Sequence, residues 1–280
     1  MNAVLWTRRA QRLHVASDRG TGPIVVLIHG VASSSSTFQN VLPLIDHSHR
    51  CITIDLLGSG ESPMPVDSEC TLDEHVAAVK RTIDSLQLHA PYTLVGHSLG
   101  ALIAARLASR TPRNVERVVL VSPPIFLTPE ELNAGAGRRE HRHLVSNEAF
   151  ALRYAECVEP LPSMARAVDD NECSSAPSLD SLEHSIKSQT TLSDLAAVRV
   201  PVEVILGSMD DFHSEGLMQI VSDMANVEVH RVAPRDHLIG RRLARVVATA
   251  IGRDETLPRI TLEDHAWLPS RDLIAWPVFR

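Results

Sequence analysis

Gly96-His97-Ser98-Leu99-Gly100 is the segment of this 280-residue chain whose residue types and spacing point most directly to chemistry. A serine with a glycine two positions away on each side fits a sharp, strained turn, because side chains at those flanking positions would block the chains that pass there. The apolar run Tyr92–Val95 leads into the pentapeptide and Ala101–Ala108 leads out of it, so it reads as strand, turn, helix. Ser98 then sits at a helix N-terminus, where the dipole and free N–H groups favour an oxyanion. The chemistry implied is attack of the hydroxyl on an electrophilic carbonyl. Serine alone is a poor nucleophile at neutral pH and needs a base, itself held by an acid.

Elements must position that serine. Six short, β-branched runs read as strands: Ile24–Ile28, Cys51–Ile54, Tyr92–Val95, Val118–Val121, Val202–Leu206 and Val227–Val232. They are continuously apolar rather than alternating, as in a parallel sheet covered on both faces. From Thr71 to Leu88, the residues Leu72, Val76, Val79, Ile83 and Leu86 recur at helical steps, and Thr71 with Glu74 makes a capping box. Ala101–Ala108 is apolar nearly all round, as expected of a helix against the sheet centre. Alternating strands and helices predict an α/β fold with a doubly wound, mostly parallel sheet. Between Ser122 and Val202 lie about eighty residues without a convincing strand, too many for a plain loop. Thr128-Pro129-Glu130-Glu131 opens a helix there, and further helical stretches fall around Asn147–Cys157 and Leu179–Ser188. This interval is predicted to be an inserted helical cap over the carboxyl ends of the strands, where ligands bind in open sheets. The core is therefore expected over residues 1–124 and 197–252, the cap over 125–196 and a tail over 253–280. That tail carries Trp267, Trp276 and Phe279, and disordered tails are poor in aromatics. It is expected to dock on its own domain or on a partner subunit, which makes a homodimer a case to test.

In this setting the chain resembles the α/β-hydrolase superfamily, in particular its carboxylesterase-like serine hydrolases with a helical cap. His29-Gly30-Val31, ending an apolar strand, matches the family's H-G-x segment, and the run Asp55-Leu56-Leu57-Gly58-Ser59-Gly60-Glu61-Ser62 matches its D-x-x-G-x-G-x-S loop. The resemblance covers residues 12–252 and is weakest in the insertion. It implies oxyanion donors at the backbone N–H groups of Val31 and Leu99, and a structural rather than catalytic Asp55. Family chain order runs serine, acid, histidine. The family's G-x-x-D spacing picks Asp210 from Gly207-Ser208-Met209-Asp210-Asp211, with Asp211 as the alternative. His237, after the Val227–Val232 strand, is then the base that takes the Ser98 proton and delivers it to the leaving group. Arg235 and Asp236 precede that histidine where the family often has glycine.

The reaction expected from the resemblance is hydrolysis of a carboxylic ester of a small or medium acyl substrate. The first alternative is carbon–carbon bond cleavage in a diketone, although the glycine-rich segment of such hydrolases is replaced here by Val31-Ala32-Ser33-Ser34. A ligand receptor that retains the site is another. Serine at the turn disfavours an aspartate nucleophile. His29, His97, Phe126, Met209 and Phe212 are candidate pocket residues, with Leu127 and Phe150 beside them, and each reads equally well as packing. Glu140-His141-Arg142-His143 lacks zinc spacing, so no metal is expected, and no cofactor. Cys51, Cys70, Cys157 and Cys173 form no C-x-x-C pair and are expected as reduced thiols. A chain that is 44% hydrophobic and 22% charged, with formal charge −7, reads as globular and lacks the basic excess of a nucleic-acid binder. No apolar run approaches the roughly 18 residues of a membrane span. Met1–Leu13 lacks the order of a secretory signal, so a cytoplasmic location is expected.

Overall fold

The strands are β1 (Val15–Arg19), β2 (Ile24–Ile28), β3 (Arg50–Ile54), β4 (Tyr92–His97), β5 (Val115–Val121), β6 (Val202–Gly207) and β7 (Val227–Val232). They belong to a computed structural model that describes residues 11–31, 33–125, 185–186, 190–208, 210, 213–232 and 238–252. All seven form one sheet in the order β1-β3-β2-β4-β5-β6-β7. Every neighbouring pair is parallel except β1 with β3. The doubly wound, mostly parallel sheet read from the sequence is the one observed. β1 was not anticipated. Its sequence, Val-Ala-Ser-Asp-Arg, is half-exposed to exposed and lies at the sheet edge, so it carries none of the apolar continuity that marks the inner strands.

Six helices cover the sheet: α1 (Leu42–Ile45), α2 (Leu72–Ser85), α3 (Leu99–Arg110), α4 (Thr191–Ala197), α5 (Glu215–Ser222) and α6 (Arg241–Ile251), counted among the described residues. Strand alternation divides the core in two. On one face Val26 and Ile28 pack with Val76, Val79, Leu102, Leu195 and Leu217 from α2, α3, α4 and α5. On the other, Val25 and Leu27 pack with Phe38, Leu42, Ile45, Leu243 and Val247 from the first turns after β2 and from α6. Burying a side chain of this size is worth about 1.5–3 kcal/mol, and β2 is buried along its whole length, which is why its sequence shows no polar alternation.

The α2 capping box is present: the Thr71 hydroxyl accepts from the Glu74 N–H at 3.2 Å, and Glu74 Oε2 accepts from the Thr71 N–H at 3.0 Å. Both ends of the expected insertion, residues 125–196, are among the described residues. Ile125, assigned to its start, is fully buried in the core and bridges His213. Thr191 to Ala196, assigned to its end, belong to α4, which packs on the core through Leu195. An ion-pair network fixes α4: Arg106 of α3 donates Nε–H to Asp194 at 2.9 Å and Nη1–H to Asp73 of α2 at 2.8 Å. Residues 126–184 and 187–189 of the predicted cap, with Thr128–Glu131 among them, and the tail over 253–280 lie outside the described residues. Among the described residues no helix is long and apolar enough to cross a membrane.

Candidate active site

The chain leaves β2 toward β3 on one side and returns through β4 to the other, so the sheet changes direction between β2 and β4. Crevices at such a switch point, beyond the carboxyl ends of the strands, are where open α/β sheets bind ligands. Ser98 stands there, between the end of β4 and the start of α3. Its N–H donates to the Val121 carbonyl of β5 at 2.9 Å, which ties the turn to the sheet. Its backbone is left-handed, with φ 53° and ψ −120°. A non-glycine residue in such a region costs about 1–3 kcal/mol and persists only where its surroundings hold it. A serine before a helix ordinarily has extended backbone and caps the first turn with its oxygen. Ser98 makes no such bond. The strained backbone turns the hydroxyl away from α3.

The flanking glycines explain how the turn fits. A Cβ on Gly100 would lie 2.1 Å from the Ile28 carbonyl oxygen, and one on Gly96 would lie 2.2 Å from the Gly100 oxygen. Both contacts are with backbone, so neither can yield. Gly30, at the end of β2, faces the serine itself: a Cβ there would meet the Ser98 Cβ at 2.7 Å and its Oγ at 3.3 Å. The His29-Gly30-Val31 segment and the Ser98 turn are therefore in contact. Leu99 opens α3, so its N–H has no acceptor within the helix. Val31 follows Gly30 and packs its side chain against the core.

His29 is completely buried, and its ring bridges two segments of backbone. The Leu56 N–H donates to Nε2 at 2.9 Å, which makes Nε2 the unprotonated nitrogen and Nδ1–H the donor to the Gly30 carbonyl at 2.7 Å. Burial holds His29 below its ordinary value, against the pull of the Gly30 carbonyl and of the Asp55 charge. No edge of the ring faces solvent, so its surroundings are protein. His97 is 3% exposed at the end of β4, beside Ser98. Asp55 is structural by geometry. Its Oδ1 accepts from the Ser35 N–H at 2.9 Å and the Ser35 hydroxyl at 2.6 Å, and Oδ2 accepts from the Glu61 N–H at 3.3 Å. Gly60, with φ 53°, presses so close to this carboxylate that an added Cβ would collide with it.

Asp210 follows β6 and is 5% exposed; its N–H closes a turn onto the Gly207 carbonyl at 3.0 Å. His237, Asp211, Phe126, Met209 and Phe212 lie outside the described residues, as do Leu127 and Phe150. The structure thus brings together Ser98, Gly30, His29 and the N-terminus of α3, and Asp210 likewise lies beyond the carboxyl end of its strand, β6. Sequence reasoning missed Ser122, where β5 ends. It shares the left-handed backbone, with φ 50°, and its N–H donates to the Ile205 carbonyl at 2.8 Å. It also missed His75 of α2, completely buried and pushed down to about 3 by burial, with His29 nearby reinforcing the effect. A histidine on an amphipathic helix carries no signal that it faces inward until the neighbouring packing is known.

The family described as the alpha/beta hydrolase fold matches residues 23–152, the stretch that contains Gly30 and Ser98. Residues 23–152 thus resemble that family, and the seven-stranded, mostly parallel sheet is the fold it is named for. "Probable lysophospholipase BODYGUARD 1" of Arabidopsis thaliana is 37% identical over 111 residues, covering 38% of this chain and 24% of that protein. The chain therefore matches about a quarter of the length of this plant relative. 2-Hydroxymuconate semialdehyde hydrolase of Pseudomonas sp. strain CF600 is 32% identical over 162 residues, covering 51% of this chain and 57% of that protein. The crystal structure of the enol-lactonase of Burkholderia xenovorans LB400 superposes with a TM-score of 0.68, with 21% identity over 86% of this chain and 96% of that one. That likeness concerns the fold.

Proposed function

We propose that the protein is a serine hydrolase that cleaves a carboxylic ester of a small or medium acyl substrate through an acyl-enzyme. One observation carries the reading: Ser98 holds a strained, left-handed backbone at the switch point of the sheet and does not spend its hydroxyl on capping α3. The Ser98 oxygen attacks the acyl carbon while His237, oriented by Asp210, takes the hydroxyl proton. The N–H groups of Val31 and Leu99 stabilise the tetrahedral oxyanion. Collapse expels the alcohol, which receives that proton, and water then attacks the acyl-enzyme by the same route. Relatives named as a lysophospholipase and an enol-lactonase support an acyl-oxygen bond as the target.

A fluorophosphonate is expected to label the protein at Ser98, located by peptide mass mapping, and Ser98→Ala to abolish both labelling and turnover of short acyl esters. Labelling at another residue, or none, would overturn the reading. Carbon–carbon bond cleavage in a diketone is the second reading, favoured by the relative named for 2-hydroxymuconate semialdehyde, a substrate without an ester in its name. Turnover of a vinylogous diketone with no esterase activity would put it first.

A further inference from the structure

Leu238-Ile239-Gly240 joins His237 to α6. Helix entries are ordinarily fixed by the side chain at the N-cap. Gly240 holds that position with extended backbone, ψ 172°, and offers no side-chain bond to the first turn. A Cβ there would meet nothing within 4 Å, so the glycine does not serve close packing either. The link is held from outside α6 instead. The Ile239 side chain is buried in the same cluster as Phe38 and Val41. Its carbonyl accepts from Nδ2 of Asn40 at 3.2 Å, a bond between residues 199 positions apart. The Gly240 N–H, on the opposite side of the same rigid peptide, donates to the Leu238 carbonyl at 2.9 Å. Both polar groups of this peptide are engaged, so its plane cannot turn without breaking a bond.

We infer that Asn40 is a positioning residue for His237, through its bond to the Ile239 carbonyl two residues further along the chain. The inference deepens the reading of the site as a serine hydrolase and rests on it. A general base works only within hydrogen-bond reach of the proton it takes, so the chain on either side of it must be fixed. On the near side, the Val232 carbonyl at the end of β7 accepts from the Ser208 N–H at 3.0 Å. On the far side stands Ile239. Asn40 lies between the 3-10 turn Ser35–Phe38 and α1, on the segment that leads on from Gly30 and Val31. Its bond therefore ties the segment of the Val31 donor to the segment of the base. Only the amide nitrogen can serve, because the acceptor is a carbonyl.

The test compares fluorophosphonate labelling rates in four proteins: the parent, Asn40→Ala, His237→Ala and the double variant. Asn40 is half-buried and outside the apolar core, so shortening it opens no core cavity; urea midpoints check that the variants fold. Asn40→Ala is expected to lose up to about 10²-fold, the cost of misplacing a reacting group by an ångström. In the His237→Ala background the same substitution should cost nothing further, because residues that act as a unit are not additive. Equal fold-losses in the two backgrounds, or a parent rate in Asn40→Ala, would overturn the inference. The acid limb of kcat/KM reads the same coupling. It should move to lower pH in Asn40→Ala, since an imidazole out of line with Asp210 loses the carboxylate that favours its charged form; an acid limb left in place would also overturn it. Asn40→Asp keeps the size but puts a carboxylate without a donor against the Ile239 carbonyl. It is expected to label as slowly as the alanine variant, and a parent rate would show that shape alone suffices. Failure of the hydrolase reading looks different: His237→Ala alone would then label as fast as the parent, and the role of Asn40 would fall with it.

Discussion

Gly30 lies against the Ser98 side chain, and that contact makes it a sharper probe of the candidate site than the glycines on either side of Ser98. An added methyl would press on the Ser98 Cβ at 2.7 Å, a side-chain atom on a turn already at φ 53°, whereas at Gly96 and Gly100 the collision is with backbone. Gly30→Ala is therefore expected to fold and to displace the hydroxyl by a fraction of an ångström. Misplacement on that scale costs up to about 10²-fold in rate. Fluorophosphonate labelling rates for Gly30→Ala, beside its urea unfolding midpoint, check this; an unchanged rate in a folded variant would contradict the contact. At this scale the sequence was legible where sterics forces the residue type. Gly96 and Gly100 are readable because a Cβ at either would meet backbone, and Ser98 because it stands between them. The structural role of Asp55 was also readable, through its loop motif. The partners of His29 were not, because a motif says that an imidazole stands there and not which nitrogen carries the proton.

Among the elements, those buried on both faces were legible and the edge was not. β2 announces itself as an unbroken apolar run, and β4 and β6 as mostly apolar runs interrupted by Thr93 and Glu203, since both faces meet helices. β1 mixes Ser17, Asp18 and Arg19 into five residues, because only one side of it has a neighbour. α4 escaped notice because its seven residues are too short to show a period, and its place is set by ion pairs rather than by an apolar stripe. Arg106, 6% exposed, holds Asp194 of α4 and Asp73 of α2 with different nitrogens. Removing the cation leaves Asp194, whose side chain is 14% exposed, against the core without this partner. Breaking a buried pair from one side costs about 3–5 kcal/mol, and half-exposed Asp73 should contribute little of that. Arg106→Met is thus expected to lose about 3 kcal/mol of unfolding free energy in urea, with amide exchange rising in α4 before α2. Arg106→Lys should recover less than half, since one ammonium cannot reach two carboxylates on separate helices with the geometry of a guanidinium. Full recovery by lysine would show that charge alone, and not the fork, fastens α4.

For the molecule as a whole, two of the buried imidazoles, His29 and His75, make stability respond to acid. His75 is 1% exposed and pushed from its ordinary 6.5 down to about 3 by burial, with His29 adding to the effect, and burial lowers His29 as well. Both are therefore neutral in the folded protein at pH values where the unfolded chain already binds protons. Where the unfolded state holds more protons, stability rises with pH. The contribution is fully present above the ordinary histidine value and is lost as pH falls through it. For His75 the loss continues until about pH 3, where the folded state takes up the same proton. Each such group contributes a slope of about 1.4 kcal/mol per pH unit within its window. Carboxylates begin to titrate lower, so the interval from about pH 6.5 to 5 isolates the histidines. Urea unfolding at pH 7.5, 6.0 and 5.0 is expected to show the midpoint falling across that interval. His75→Leu, which puts an apolar side chain at a position with no exposure, should flatten the slope by about one proton's worth. An unchanged slope in that variant would mean that His75 takes up its proton in the folded protein and in the unfolded chain alike.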